Sequence, residues 1–300
     1  MAPSSITLNV PYIKTLHKKP YPAISPSRPE LSQAGRTVLV VGGSSGIGFA
    51  IAKAFIQASA SRVIITGRQQ NRLDDAVSRL RAENVAGTVI NALVTDMSDL
   101  ESTEKLWNAF RDTGVVIDVL ILNAAGFGKE GPILQAGLES TWAVFETNVR
   151  GLLDYAVRFH QQPEGRGEPK FLVNLSSSAA HNLTTDNASP TYGLTKNSGT
   201  LLMQMIAHGT DPKDMQIISM HPGGVLTDAA RSAGYDETTL DWDDENLPGQ
   251  FAVWCASKEA QFLHGRFIPV WWDVDEIKTG EVRRRIESEY HFLRVGIVGL

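Results

Sequence analysis

A chain of 300 residues with 28 basic and 33 acidic side chains, a net charge of -5 and 42% apolar composition has the length to bury a large core. The acidic balance and the lack of any dense Lys/Arg stripe argue against a nucleic acid partner, whose phosphates are met by clustered cations. A single cysteine, Cys255, excludes an internal disulfide, and no residue spacing resembles a metal site. There is neither an apolar secretory h-region nor a run of about 18 apolar residues, so a reducing, cytoplasmic setting with no membrane partner is expected.

Residues 1–35 carry six prolines and four basic residues against one acid. Proline fixes φ and removes a donor, so this density predicts an extended arm rather than a helix or a central strand. The arm is expected to lie across the domain surface or a neighbouring subunit, as a loosely held leader without a catalytic role. From Arg36 onward, short β-branched runs alternate with amphipathic stretches of helical period. The runs 37–41, 62–66, 88–93, 115–122, 170–175, 215–220 and 267–271 read as strands. Several are almost continuously apolar, as in a parallel sheet covered on both faces. The stretches 46–59, 69–83, 100–112, 137–160 and 190–208 read as helices. The alternation predicts one α/β domain over residues 36–300, a doubly wound, parallel seven-stranded sheet with helices on both faces. One segment departs from it. Residues 226–246 hold seven acids and one arginine, and their place after the sixth strand predicts either a solvated excursion or a lid over the cleft. As a lid, it is expected to turn Leu226, Tyr235, Leu240 and Trp242 inward and its carboxylates outward.

The first strand runs into a helix through Gly42, Gly43, Ser44, Ser45, Gly46, Ile47 and Gly48. Glycines there allow a tight turn and close approach of backbone to a pyrophosphate, whose charge meets free N–H groups and the positive end of the helix dipole. Tyr192 and Lys196 stand four apart at the start of a helical stretch, on one face. A phenol with an ordinary pKa of about 10 is a poor acid–base group near neutrality without a cation to stabilise its phenolate, and Lys196 is placed to supply one.

These residues in this order resemble the short-chain dehydrogenase/reductase family over about residues 36–270, including its fungal NADP-dependent members. The resemblance implies a Rossmann-type fold and assigns roles. Gly42, Gly46 and Gly48 match the T-G-x-x-x-G-x-G turn, with Val41 in place of the threonine. Asp96 matches an adenine-contacting aspartate, and Asn123-Ala124-Ala125-Gly126 matches the N-[NA]-A-G stretch beside the cofactor. Asn148 matches the catalytic asparagine, which would position a water relaying protons to Lys196. Pro222, Gly223, Val225 and Thr227 lie in a segment similar to the P-G-x-x-x-T turn that packs against nicotinamide. Of Ser176-Ser177-Ser178, the pattern VNLSS selects Ser177 as the catalytic serine, with Ser178 the alternative. The long spacing to Tyr192 implies a loop insertion through 181–187. His181 reads as a pocket wall or surface residue and His221 as a backbone orienter. Trp142, Trp242, Trp254, Trp271 and Trp272 read as core or cleft wall. The two long helices, 137–160 and 190–208, imply a homodimer or homotetramer.

A carboxylate at the end of the second strand would bind both ribose hydroxyls of NAD and repel the phosphate of NADP. Here Gly67 and Arg68 follow Thr66. A guanidinium can pair bidentately with a 2'-phosphate, so NADP is expected, with Ser44 assisting and Ser45 standing where many NADP-dependent members carry a basic residue. The function implied is NADPH-dependent reduction of a ketone, or the reverse oxidation of an alcohol, on a small secondary-metabolite-type substrate. Redox-neutral isomerisation or cyclisation on the same fold and a non-enzymatic NADP sensor are the alternatives. Net NADPH consumption separates the first pair, and the retained Tyr192–Lys196 pair weighs against the sensor.

Overall fold

The computed structural model describes residues 10–84, 87–163, 169–181 and 189–296. Its strands are β1 (Thr37–Val41), β2 (Arg62–Gly67), β3 (Val89–Val94), β4 (Val119–Leu122), β5 (Lys170–Leu175), β6 (Met215–His221) and β7 (Arg266–Pro269). They form one parallel sheet in the order β3-β2-β1-β4-β5-β6-β7. The central strands are buried on both faces, which is why their sequences read as unbroken apolar runs. The order reverses between β1 and β4, and this opens a crevice at the carboxyl ends of the strands.

One face is covered by α1 (Gly46–Gln57), α2 (Gln70–Ala82) and a later helix introduced below; the other by α3 (Leu100–Asp112), α4 (Ile133–Phe145), α5 (Gly151–Gln161) and α6 (Pro190–His208). The fold is the single-domain Rossmann type. Two boundaries differ from the sequence reading for physical reasons. The run 115–122 pairs only over β4, because the buried Ile117 gives its N–H to Gln162 Oε1 instead of a ladder partner. The predicted helix 137–160 begins earlier, at Ile133, and is broken: Gly137 sits at φ +81° inside α4, and residues 146–150 form a π-helical turn before α5. Such turns recur at functional sites, and this one carries Asn148.

Beyond β6 come α7 (Asp228–Ser232), α8 (Asn246–Cys255), α9 (Val274–Lys278) and α10 (Gly280–Ser288). The last two had no sequence signal strong enough to name. α8 packs on α1 with Gly249 against the Ala50 backbone, where a Cβ would lie 2.7 Å from Ala50 O. Trp254, Trp271 and Trp272 are buried as expected, whereas Trp142 is 58% exposed on α4.

The described part of the arm, from Val10, is built into its own domain. Leu16 bridges Trp272, His17 N–H donates to Trp271 O (2.8 Å), and the His17 ring stacks on Tyr21 at 3.5 Å. Tyr21 donates to Trp272 O and accepts from Val274 N–H, both at 3.1 Å. Ile24 and Leu31 are inaccessible to solvent. Apolar side chains placed between the prolines thus hold the arm down, and the loosely held leader expected from composition is not what residues 10–35 form.

Candidate active site

The glycine turn begins at Gly42 (φ +80°), whose N–H donates to Thr66 O at 2.9 Å, joining the ends of β1 and β2. A Cβ on Gly48 would sit 2.1 Å from Gly42 O and 2.6 Å from Asn123 Nδ2, so only glycine lets α1 start this close to the sheet. Asn123 closes the turn by donating to Gly42 O at 2.8 Å. Gly46 (φ +51°) lies under Thr227, with a Cβ position 3.0 Å from its methyl, so the turn after β6 meets the glycine turn from across the crevice.

The crevice holds about 530 Å³, within the range of small-molecule sites. Gly42, Ser44, Ser45, Gly46, Ile47, Arg68, Asp96, Asn123, Ala124, Gly126, Tyr192, Lys196, Pro222 and Thr227 line it. Of the other residues singled out, Gly48 packs α1, Val225 is buried, Gly223 underlies Asp243 and Asn148 braces the floor, while Ser177 is half-buried against Tyr192 at the inner end. A second hollow of similar volume, between α2 and β3, is lined by Gln70, Asp74 and Arg81 and lies away from this chemistry.

At the inner end, burial pushes the Tyr192 phenol up to about 12, opposed by its hydrogen bond with Ser177. That contact favours Ser177 over Ser178, which instead opens a short 3-10 turn capped by the Ser177 hydroxyl. Ser176 also lines the crevice, but its hydroxyl is engaged in a buried hydrogen bond with Thr200. Lys196 is 7% exposed, donates to Leu175 O at 2.7 Å, and is pulled down by burial to about 8. Its ammonium lies 5.7 Å from the centroid of the Tyr192 ring. The sequence reading gave Lys196 the task of lowering the phenol pKa. Here burial raises the phenol and Ser177 is the group that opposes it, while the amine is held on the Leu175 carbonyl rather than on the phenol oxygen.

Asn148 has its side chain engaged. Nδ2 donates to Gly126 O (2.8 Å) and Thr195 Oγ1 (3.0 Å), and Oδ1 accepts from Gly126 N–H (2.8 Å). The amide therefore ties the N-A-A-G stretch to α6. The backbone carbonyl of Asn148 faces α6 at Gly199, where a Cβ would lie 2.7 Å away. His221 Nδ1 accepts from Gly223 N–H at 3.1 Å, in line with a backbone-orienting role. Burial, with His181 nearby, holds His221 down at about 3, so the ring stays neutral with its proton on the buried Nε2. His181 sets its ring edge-on to Phe267. The loop insertion expected beyond it, 182–187, lies outside the described residues.

At the outer end, Gly67 presents no carboxylate, and a Cβ there would come within 3.3 Å of Ser44 Oγ. Arg68 lines the crevice together with Arg72 from the first turn of α2, and among the described residues neither has an ion-pair partner. Arg72 was missed because a helix-face arginine carries no local signal. So was Phe127, whose ring stacks on Tyr192 at 5.0 Å and 25° while 54% exposed at the crevice mouth. The predicted lid is mixed. Leu226, Leu240 and Trp242 are half-buried and most carboxylates exposed, but Tyr235 is exposed and Asp243 turns in. Among the described residues no cluster of His, Cys, Asp and Glu could hold a metal ion, and no helix is long and apolar enough to cross a membrane.

Open parallel sheets bind ligands where the strand order reverses, and here the reversal falls under a glycine turn opposite a tyrosine–lysine pair, an arrangement of the dinucleotide-dependent oxidoreductases. The family model for short chain dehydrogenases matches residues 36–238, and the chain belongs to that family. It is 31% identical over 287 residues to the short chain dehydrogenase/reductase AacuD of Aspergillus aculeatus, covering 95% of this chain and 96% of the relative. It is also 31% identical over 291 residues to a short chain dehydrogenase/reductase of Claviceps purpurea, covering 95% and 94%. Among solved structures, a short-chain type dehydrogenase/reductase from Mycobacterium ulcerans superposes with a TM-score of 0.71 at 28% identity over 80% of this chain and 89% of that one. The fold is shared with the Pseudomonas aeruginosa RhlG/NADP active-site complex, with a TM-score of 0.71 at 23% identity over 81% and 97%.

Proposed function

We propose that the protein is an NADPH-dependent carbonyl reductase acting on a small ketone, with the reverse alcohol oxidation open to it. The observation that carries this reading is the joining, in one crevice, of the Tyr192–Ser177 contact and buried Lys196 at one end with Arg68 and Arg72 at the other. The residues fit a dinucleotide. Two glycines at positive φ and the close packing at Gly48 bring backbone against the crevice floor, and Arg68 and Arg72, without ion-pair partners among the described residues, answer the charge of a 2'-phosphate.

In this reading the glycine turn and the start of α1 hold the pyrophosphate, Asp96 and the N-A-A-G stretch flank the adenine side, and Pro222 and Thr227 wall the nicotinamide side. NADPH supplies the hydride when bound. Ser177 hydrogen-bonds the substrate oxygen, and Tyr192 gives its proton to that oxygen as negative charge develops. A phenol at about 12 is protonated throughout the neutral range, as an acid must be before it donates. Lys196, charged below about 8, stabilises the phenolate left behind. With the side-chain amide of Asn148 engaged, any water relay to Lys196 runs through the Asn148 carbonyl.

The fungal relatives are named only as short chain dehydrogenases, and their sources favour a secondary-metabolite-type substrate. Leu134, Leu138, Trp142, Leu153, Val157 and Met205 expose apolar surface along α4, α5 and α6, which we assign to a homodimer or homotetramer contact. Incubating the protein with NADPH or NADH and a panel of aryl and alkyl ketones, with the alcohols read by mass spectrometry, tests the function. Alcohol formed faster with NADPH supports it; no alcohol with either cofactor across the panel refutes it.

A further inference from the structure

We propose that Asp243 is a positioning residue for the crevice, and that the N-terminal arm, through Lys18, holds it in place. The proposal rests on the reading of the crevice as an NADPH site and adds to it a device drawn from two segments without a place in the chemistry.

The turn after β6 contains Gly223 and Gly224, which have no side chains to fix their conformation. Asp243 grips that turn at two points. Its N–H donates to Gly224 O at 2.7 Å, and its carboxylate Oδ2 accepts from Gly224 N–H at 2.8 Å. The grip requires glycine beside it: Gly223 is at φ +87°, and a Cβ there would lie 2.5 Å from Asp243 Oδ2. Pro222 before the turn and Thr227 after it both line the crevice, and Thr227 touches Gly46 of the glycine turn. Fixing Gly224 therefore fixes the wall between two crevice residues.

From outside, the same strip is held by the arm. Asp244 N–H donates to Lys18 O at 2.8 Å, while Lys18 Nζ donates to Asp241 O at 2.6 Å and pairs with Asp241 Oδ2 at 2.5 Å. The arm is immobilised one residue earlier, where His17 bonds Trp271 O through its N–H and Asp273 through Nε2, each at 2.8 Å. Residues 241–244 are thus clamped between the glycine turn and the arm. The arm thus holds the strip both through its backbone carbonyl and through its exposed charge, as an extended, proline-limited segment with few donors of its own can.

Hydrogen exchange of the free protein, read over residues 222–245 for the wild type, Asp243→Ala, Asp243→Asn and Lys18→Met, tests the clamp without reference to catalysis. NADPH titration of the same four proteins tests its purpose. Asp243→Ala is expected to speed exchange across the turn and weaken NADPH binding by about tenfold, as for loss of a hydrogen bond to a charged group. Asp243→Asn keeps an acceptor and is expected to restore both. Lys18→Met, which leaves the backbone bond intact, is expected to speed exchange over 241–244 about two- to threefold; it also decides the matter should Asp243→Ala fail to fold. Unchanged exchange in both Asp243→Ala and Lys18→Met overturns the clamp. Faster exchange with unchanged NADPH affinity overturns the positioning role. A wild type that binds no NADPH refutes the cofactor reading and with it that role, while the exchange data still judge the clamp.

Discussion

Replacing Lys196 by methionine should stabilise the free protein while destroying its activity. The amine is 7% exposed and its pKa falls from the ordinary 10.5 to about 8. At about 1.4 kcal/mol per pH unit, carrying the charge in this site at neutral pH costs about 3 kcal/mol relative to the unfolded chain. Methionine fills similar space without charge but leaves the buried Leu175 O without its donor, a loss of about 1–3 kcal/mol. The balance is a gain of up to about 2 kcal/mol, or up to several degrees in melting temperature for a chain of this size. The gain has a pH signature. Between about 8 and 10.5 the unfolded lysine keeps its proton and the folded one does not, so wild-type stability climbs with pH through this window and the methionine variant lacks the climb. Thermal unfolding of both proteins at pH 7 and above pH 10.5, followed by circular dichroism, should show the variant's advantage disappear at the higher pH. A variant less stable at pH 7, or an advantage equal at both, would refute a buried, charged Lys196.

Four further outcomes are expected. Arg68→Ala should raise KM for NADPH about ten- to hundredfold while leaving KM for NADH nearly unchanged, with Arg72→Ala a weaker copy; equal effects on the two cofactors remove the 2'-phosphate assignment. Reductase activity should fall as pH rises through about 8, where Lys196 loses its charge; Lys196→Arg should carry activity beyond that limb, and a flat wild-type profile contradicts the role. Gly48→Ala places a Cβ 2.1 Å from Gly42 O and should cost about 1–3 kcal/mol in denaturant unfolding and abolish NADPH binding, so wild-type affinity in this variant counts against the glycine-turn site. Trp142→Asp should give a light-scattering mass near 32.7 kDa where the wild type gives a multiple; a monomeric wild type refutes association through α4 to α6.

The sheet was legible because strands buried on both faces need apolar residues at every position, as in Thr37–Val41 and Val119–Leu122. The glycine turn was legible because close backbone approach permits one residue type, and the tyrosine–lysine pair because four residues make one helix face. What escaped had no periodic trace. A π-helical turn around Asn148 differs from an α-turn by one residue of register. The arm is held by the buried Ile24 and Leu31 and by bonds to Trp271 O and Trp272 O, neither of which a count of prolines reveals. Phe127 and Arg72 reach the crevice through the tertiary placement of a loop and a helix. Asp243 is expected to face water with its neighbours, and it turns inward because Gly224 N–H meets its carboxylate while Gly224 O takes its backbone N–H. Composition counts carboxylates and does not show their partners.

The central claim, reduction of a ketone with Tyr192 as proton donor, is tested most directly by the ratio of NADPH consumed to alcohol formed in the wild type and in Tyr192→Phe. The account predicts one NADPH per alcohol in the wild type and a loss of about 10²–10⁴ in turnover for the phenylalanine variant, with NADPH still bound. Product formed without net NADPH consumption, or a Tyr192→Phe variant that turns over like the wild type, would contradict it.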